Sequence, residues 1–244
     1  MPMLIRTILI VILSLLSVNA HATIWGCFYG VVHEKLNCPE KDVTALAKLY
    51  RDNLSDSIKA GRGGIFLIRG DGVYRDNIIK YFKKQALACN ENDMLVFAYS
   101  GHGNANGIYC GYEYVSYSEI YSIFNMSKAK TKIMFIGACH SGGAKKFFNE
   151  LILPYDAQFI GLTSSLENEI SYEEVGESFS FFFKRLILGL KGQADSDNNG
   201  SITIKELYNY INQKIAEDTN FLGNEREHPT LFGKFEKNPV ILSW

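Results

Sequence analysis

Two residues of reactive type stand at matching places in the chain. In "MFIGACHSGGA", Met134 to Ala144, Cys139 follows a β-branched apolar run and precedes Gly142–Gly143; in "LVFAYSGHGNANG", Leu95 to Gly107, His102 holds the corresponding place before Gly103. A thiol with an ordinary pKa of about 8.5 is mostly protonated at neutral pH, and a neighbouring imidazole or helix N-terminus favours the thiolate. The glycines keep the main chain bare, so amide N–H groups can come close to a tetrahedral oxyanion. Alone, Cys139 reads as a buried structural thiol and His102 as a polar turn residue. Their matched positions at strand ends instead point to a nucleophile and its proton carrier.

Such a pair needs a frame that brings two strand ends together. Apolar runs occur at Ile24–Val32, Gly64–Ile68, Met94–Tyr99, Lys132–Gly137 and Gln158–Leu162, with helix-period segments at Asp42–Asn53, Arg75–Leu87, Ser116–Phe124 and Ala144–Leu151. Runs rich in Val, Ile and Phe with little polar alternation are strands buried on both faces, so the pattern predicts an α/β fold with a mainly parallel sheet wrapped by helices. A parallel sheet gathers its chemistry at the carboxyl ends of its strands. His102 and Cys139 both sit there, and adjacent strands would let them meet across a crevice. "GRGG" at 61–64 and "RGDG" at 69–72 read as turns around the second run.

The start of the chain reads as an export signal over residues 1–22: Arg6, an apolar core from Ile8 to Leu16 broken only by Ser14, and an Ala20-His21-Ala22 cleavage site. The apolar run falls short of the roughly 20 residues a membrane-spanning helix wants. The expectation is an exported, periplasmic or extracellular chain of residues 23–244, one large domain or a core domain with a small appendage, with no membrane association after cleavage; the alternative is an uncleaved N-terminal membrane anchor. Loss of Arg6, the only charged side chain of the signal, moves the formal charge from −1 to −2. So near-neutral a balance gives no electrostatic case for nucleic acid or anionic lipid as partner. Cys27, Cys38, Cys89, Cys110 and Cys139 would allow two bridges and one free thiol in an oxidising compartment. A local Cys27–Cys38 bridge is open on spacing, whereas Cys89 and Cys110 are expected toward opposite ends of the His102 strand, too far apart to pair.

"YSGHG" followed by "ACHSGG", between apolar strands in this order, resembles the caspase-like cysteine peptidases, nearest the metacaspase and bacterial caspase-like branch and more distantly the legumains. "CPEKDVTALAKLY" resembles that family's first helix, and "LTSSLENEISYEE" the segment that follows the catalytic cysteine. The resemblance implies a caspase-like three-layer sandwich and a polypeptide substrate. It also implies Cys139 as nucleophile, His102 as acid/base partner, and the amides of Gly103 and Cys139 as oxyanion donors. Metacaspases generally carry an acid two positions before the nucleophile, lining the pocket for a basic P1 side chain; here that residue is Gly137. The caspase signature Q-A-C-[RQG]-G is not matched either, so neither basic nor Asp specificity carries over directly. Glu167, Glu169, Glu173 and Glu174 are the candidates for a replacement pocket acid.

"DSDNNGSITIKE", Asp195 to Glu206, fits D-x-[DN]-x-[DN]-G-x5-E without a mismatch, between helical patterns at Phe179–Leu190 and Lys205–Ile215. In an EF-hand-like loop, Ca²⁺ would take oxygens from Asp195, Asp197, Asn199, the Ser201 carbonyl, Thr203 or its water, and Glu206, with Gly200 at the sharp turn. The ordinary alternative is a turn and helix cap, and bacterial caspase-like proteins show similar stretches. Tyr109, Tyr112, Tyr114, Tyr117 and Tyr121 read as an edge hairpin rather than a cleft rim. His140 is expected to point away from the nucleophile, and His228 to be a loop residue.

The leading expectation is an exported cysteine endopeptidase working through a thioester acyl-enzyme. No cofactor is required for that chemistry, and Ca²⁺ would be structural. A peptide ligase or transamidase using the same pair, and a catalytically silent calcium-binding module, are the alternatives; hydrolysis and transpeptidation share the thioester and differ in what resolves it.

Overall fold

The computed structural model describes residues 23–32, 36–53, 63–154, 156–173, 176, 178–235 and 238–243. The expected export signal over residues 1–22 lies outside the described residues, as does Glu174. Among the described residues no helix is long and apolar enough to cross a membrane.

The strands are β1 (Ile24–Gly30), β2 (Gly64–Arg69), β3 (Met94–Ser100), β4 (Gly103–Asn104), β5 (Gly107–Cys110), β6 (Glu113–Ser116), β7 (Thr131–Gly137), β8 (Gln158–Thr163), β9 (Ser201–Thr203), β10 (Thr230–Lys234) and β11 (Val240–Ser243). The α-helices are α1 (Pro39–Asn53), α2 (Arg75–Ala88), α3 (Tyr117–Asn125), α4 (Phe181–Leu188) and α5 (Ile204–Asp218). A six-stranded sheet in the order β10-β8-β7-β3-β1-β2 is parallel except for the β10–β8 pair. Every apolar run read from the sequence is a strand of this sheet. The edge strand β10 was not among them, because "TLFGK" is short, interrupted by Gly233, and carries no period of its own.

Alternation along the strands splits the core into two layers. Leu95, Phe97 and Tyr99 of β3 and Met134 and Ile136 of β7 face α2 and α3, where Ile78, Phe82, Tyr121 and Phe124 are buried. Val96 and Ala98, Ile133 and Phe135 face the opposite side, covered by Val43, Leu46 and Tyr50 of α1, Phe183 and Leu186 of α4, and Leu207 and Ile211 of α5. Aromatic rings knit the first layer: Phe82 lies 4.7 Å from Phe97 and 4.9 Å from Phe124, and Phe124 lies 5.3 Å from Phe159. Such pairs contribute roughly 0.5–1.5 kcal/mol each beyond burial. Helix α3 begins at a capping box, with the Ser116 side chain on the Glu119 amide and Glu119 on the Ser116 amide.

Two local expectations are corrected. The segment expected as a helix at Ala144–Leu151 is instead a 3₁₀ helix, Ser141–Glu150. It opens at left-handed His140, φ 60°, and is wedged at its first turn: a Cβ on Gly143 would lie 2.2 Å from the Ala105 carbonyl oxygen, and one on Gly142 2.7 Å from that of Ser165. All five cysteines are free, so the open Cys27–Cys38 pairing is not made. Burial raises the Cys27 and Cys38 thiols to about 12 each, which suits inert packing groups.

Candidate active site

The parallel register sets the site. Ser100 of β3 and Gly137 of β7 are the last partners of their strands, and the Gly101 N–H donates to the Gly137 carbonyl at 3.1 Å. His102 and Cys139 each stand two residues beyond that pair. Both side chains line a cleft of about 340 Å³ with Val31, Gly103, Tyr109 and His140, and both line a second cleft of about 190 Å³ with Ser100, Ser171, Tyr172, Glu173 and Ser180. The pair therefore lines both pockets.

Each member is held from behind. The Tyr99 hydroxyl, fully buried, lies 2.6 Å from the carbonyl oxygens of both His102 and Tyr109, fixing the turn that carries the imidazole. Gly103 abuts the Cys139 turn: a Cβ there would lie 2.9 Å from the Ala138 Cβ and 3.4 Å from the Cys139 carbonyl oxygen. Its missing side chain is what lets the histidine loop close on the cysteine loop. The Cys139 sulfur accepts a hydrogen bond from the Ser171 amide at 3.4 Å and lies 3.8 Å from the Ser171 carbonyl oxygen. The Ala138 amide donates to Ser164 Oγ at 3.1 Å, and Ser164 and Ser165 hydroxyls donate back to the Ala138 carbonyl. Cys139 thus sits on a lattice of serines.

His140, expected to point away, lines the first cleft, its Nδ1 3.0 Å from the Glu167 carbonyl oxygen and its amide donating to the Glu169 carbonyl at 2.7 Å. Its left-handed backbone turns the ring back toward the 167–169 loop, a conformation that spacing alone does not reveal. Among the tyrosines, Tyr109 lines this cleft and accepts from Asn104 Nδ2 at 2.7 Å, while Tyr117 and Tyr121 are buried in the core and Tyr112 is exposed.

The four acidic candidates separate. Glu167 pairs with Lys146, and Glu169 bonds to His228 Nδ1 at 2.7 Å. Glu173 alone of the described three lines a cleft beside Cys139, its carboxylate taking the Asn37 and Cys38 amides at 2.9 and 3.0 Å. Position 137 has no room for an acid: a Cβ on Gly137 would lie 2.6 Å from the Phe183 ring. One acid that sequence reading missed lies beside the second cleft. Asp42 of α1 is fully buried and accepts from Ser100 Oγ at 2.7 Å and from the Ser180 amide and hydroxyl at 3.1 and 2.8 Å. Burial outweighs those bonds and lifts its carboxyl to about 7. In the sequence it is only an acid in a helix's first turn, where the helix dipole is reason enough for it.

The Asp195–Glu206 loop links the π-helical turn after α4 (Gly189–Gln193) to α5, and Ile202 in β9 pairs with Leu242 of β11. Carboxylate oxygens of Asp195, Asp197 and Glu206 lie within 4.8 Å of one another. Asp195 accepts the Asn199 and Gly200 amides, and Glu206 takes Ser196 on one oxygen and Thr203 on the other, capping α5. Those bonds, the Thr203 hydroxyl's first, draw the Glu206 carboxyl down to about 2.

A family model described as Caspase domain matches residues 20–243. The chain belongs to the caspase-domain family of cysteine peptidases. Solved structures with this caspase fold include protein GSU0716 from Geobacter sulfurreducens, at 14% identity and TM-score 0.64 over 89% of this chain and 95% of that one. Caspase-1 from Spodoptera frugiperda is similar at 17% identity and TM-score 0.59, over 87% and 86% of the respective chains. A search of curated protein sequences returns no match. As a caspase-domain protein the chain has polypeptide for substrate, and its sheet carries the mostly parallel order described above.

Proposed function

We propose that this chain is an exported cysteine endopeptidase with Cys139 as nucleophile and His102 as acid/base. The observation that carries the reading is the placement of both side chains two residues beyond one register pair, on the rim shared by two clefts. His102 takes the thiol proton as the sulfur attacks the scissile carbonyl carbon. The Gly103 and Cys139 amides receive the oxyanion. His102 then protonates the departing amine as the C–N bond breaks, leaving a thioester that water hydrolyses. Glu173, at the second cleft, receives a basic P1 side chain in place of the acid that Phe183 excludes from position 137.

Export follows from the apolar start and the Ala20-His21-Ala22 site. Thr23 N lies 3.2 Å from Asp93 Oδ1, so a chain cut after Ala22 would set its new ammonium group on a buried carboxylate. The acidic oxygens of Asp195, Asp197 and Glu206 are hard, closely spaced donors that fit a calcium ion, with Asn199, Ser201 and Thr203 completing the set. The ion would neutralise converging carboxylates at the α5 terminus and take no part in bond cleavage.

The test is turnover of a randomised peptide library by the processed protein. Cys139→Ala and His102→Ala should each abolish nearly all cleavage, and the double variant should be little worse, because the two act as a unit. Full turnover in either single variant would refute the assignment.

A further inference from the structure

The residues leading into β10 are fastened along the back of the loop that touches the nucleophile. Glu227 is 2% exposed, and its Oε2 accepts the Tyr172 amide at 3.0 Å. The next residue, His228, bonds to the Glu169 carboxylate through its amide at 3.2 Å and its Nδ1 at 2.7 Å, and Thr230 Oγ1 donates to the Ser165 carbonyl at 3.4 Å. The opposite side of the same loop meets the catalytic turn: the Ser171 amide lies on the Cys139 sulfur, and the Glu169 carbonyl accepts the His140 amide. Glu227 and the Cys139 sulfur thus accept from the consecutive amides of Tyr172 and Ser171.

We propose that Glu227 is a positioning residue for the peptidase reaction: by holding the Tyr172 amide it keeps the Ser171 peptide on the Cys139 sulfur and the 171–173 wall of the second cleft in place. This rests on the reading of Cys139 as nucleophile. Burial lifts the Glu227 carboxyl to about 8 against the opposing hydrogen bonds of the Tyr172 amide and the Ser171 hydroxyl, with Glu169 and Asp42 adding to the rise. Burial therefore favours the protonated form of the group. A neutral acid supplies the needed acceptor without placing a further negative charge beside Glu169 and Asp42.

Two substitutions separate positioning from packing. Glu227→Gln keeps a carbonyl acceptor and the neutral charge, whereas Glu227→Met fills the space and offers the amide nothing; Glu227→Ala is read in the same way should the Met variant not fold. Peptide cleavage and hydrogen exchange are followed in each. Glu227→Gln should stay within about threefold of wild-type kcat/KM, while Glu227→Met should lose about tenfold or more, mostly in kcat, as expected for an interaction needed in the transition state. Exchange should quicken at 166–173 in Glu227→Met and nowhere else. The proposal is overturned by wild-type kinetics in Glu227→Met, by equal losses in the Met and Gln variants, or by protection lost evenly along the chain. If the wild type and Cys139→Ala cleave alike, the peptidase reading fails by itself, and unchanged exchange at 166–173 in Glu227→Met then refutes the clamp independently.

Discussion

The phenol of Tyr99, fully buried, lies 2.6 Å from the carbonyl oxygen of His102. The same hydroxyl is 2.6 Å from the Tyr109 carbonyl, so one buried group ties the end of β3 to β5 and fixes the loop between them. Tyr99→Phe should leave the fold intact and loosen that loop. A lost buried hydrogen bond costs about 1–3 kcal/mol, so a lowered melting temperature is expected together with a roughly tenfold fall in kcat and little change in KM. Unaltered kcat, measured by steady-state kinetics, would show that His102 does not depend on this anchor.

Glu173 should set the preference at P1. Replacement by Gln removes the charge and retains one acceptor for the Asn37 and Cys38 amides. The ratio of kcat/KM for an Arg over a norleucine P1 peptide should drop by about tenfold or more, since a partly desolvated charge pair is worth more than one in water. An unchanged ratio would remove Glu173 from the pocket.

Stability should decline from weakly acidic to weakly alkaline pH. Asp42 is lifted from 3.8 to about 7 and Glu227 from 4.5 to about 8, both chiefly by burial. The folded state then holds protons that the unfolded chain has released, so their contribution is intact below the unfolded values and lost as pH rises through 7 and 8. The slope is on the order of 1 kcal/mol per pH unit for each group while it titrates. Melting temperatures recorded from pH 4.5 to 8 should fall, and Asp42→Asn should flatten the curve. Glu206 acts in the other sense and in another window: held near 2, its share is lost only as pH falls from about 4.5 toward 2.

Calcium should raise the melting temperature. At about 100 times Kd a ligand of the folded state adds roughly 2.7 kcal/mol. Glu206→Ala should abolish that increment. Because the side chain also caps α5, the variant will start lower, and the calcium-dependent difference is the quantity to compare. Calorimetric traces that coincide in millimolar calcium and in excess chelator would leave Asp195–Glu206 a turn.

Processing should be felt at Asp93. Its carboxylate accepts Thr23 N at 3.2 Å, Trp25 Nε1 at 3.0 Å and the Asn90 amide at 2.8 Å. A chain beginning at Thr23 should lose more stability on Asp93→Asn than one that keeps residues 1–22, because only the first sets an ammonium charge there. Equal losses would place the mature terminus elsewhere; mass spectrometry of the exported protein locates it directly.

The residue pattern alone dictates the α/β alternation and all the parallel strands, since apolar runs between helix-period segments have few other ways to be buried. It also dictates the Cys139 and His102 positions, because both follow their strands by the same short step. Which groups converge from distant segments depends instead on how the elements pack. Phe183 fills the space beside Gly137, Asp42 is buried against Ser100 and Ser180, and Glu227 reaches the loop that covers the sulfur. Of the described acids in 167–173 only Glu173 lines a cleft beside Cys139, while Lys146 and His228 pair with the other two. Periodicity encodes which face of an element is buried, but not what lies against that face; packing between elements far apart in the chain settles that, and it also sets the burial that lifts the Asp42 and Glu227 carboxyls.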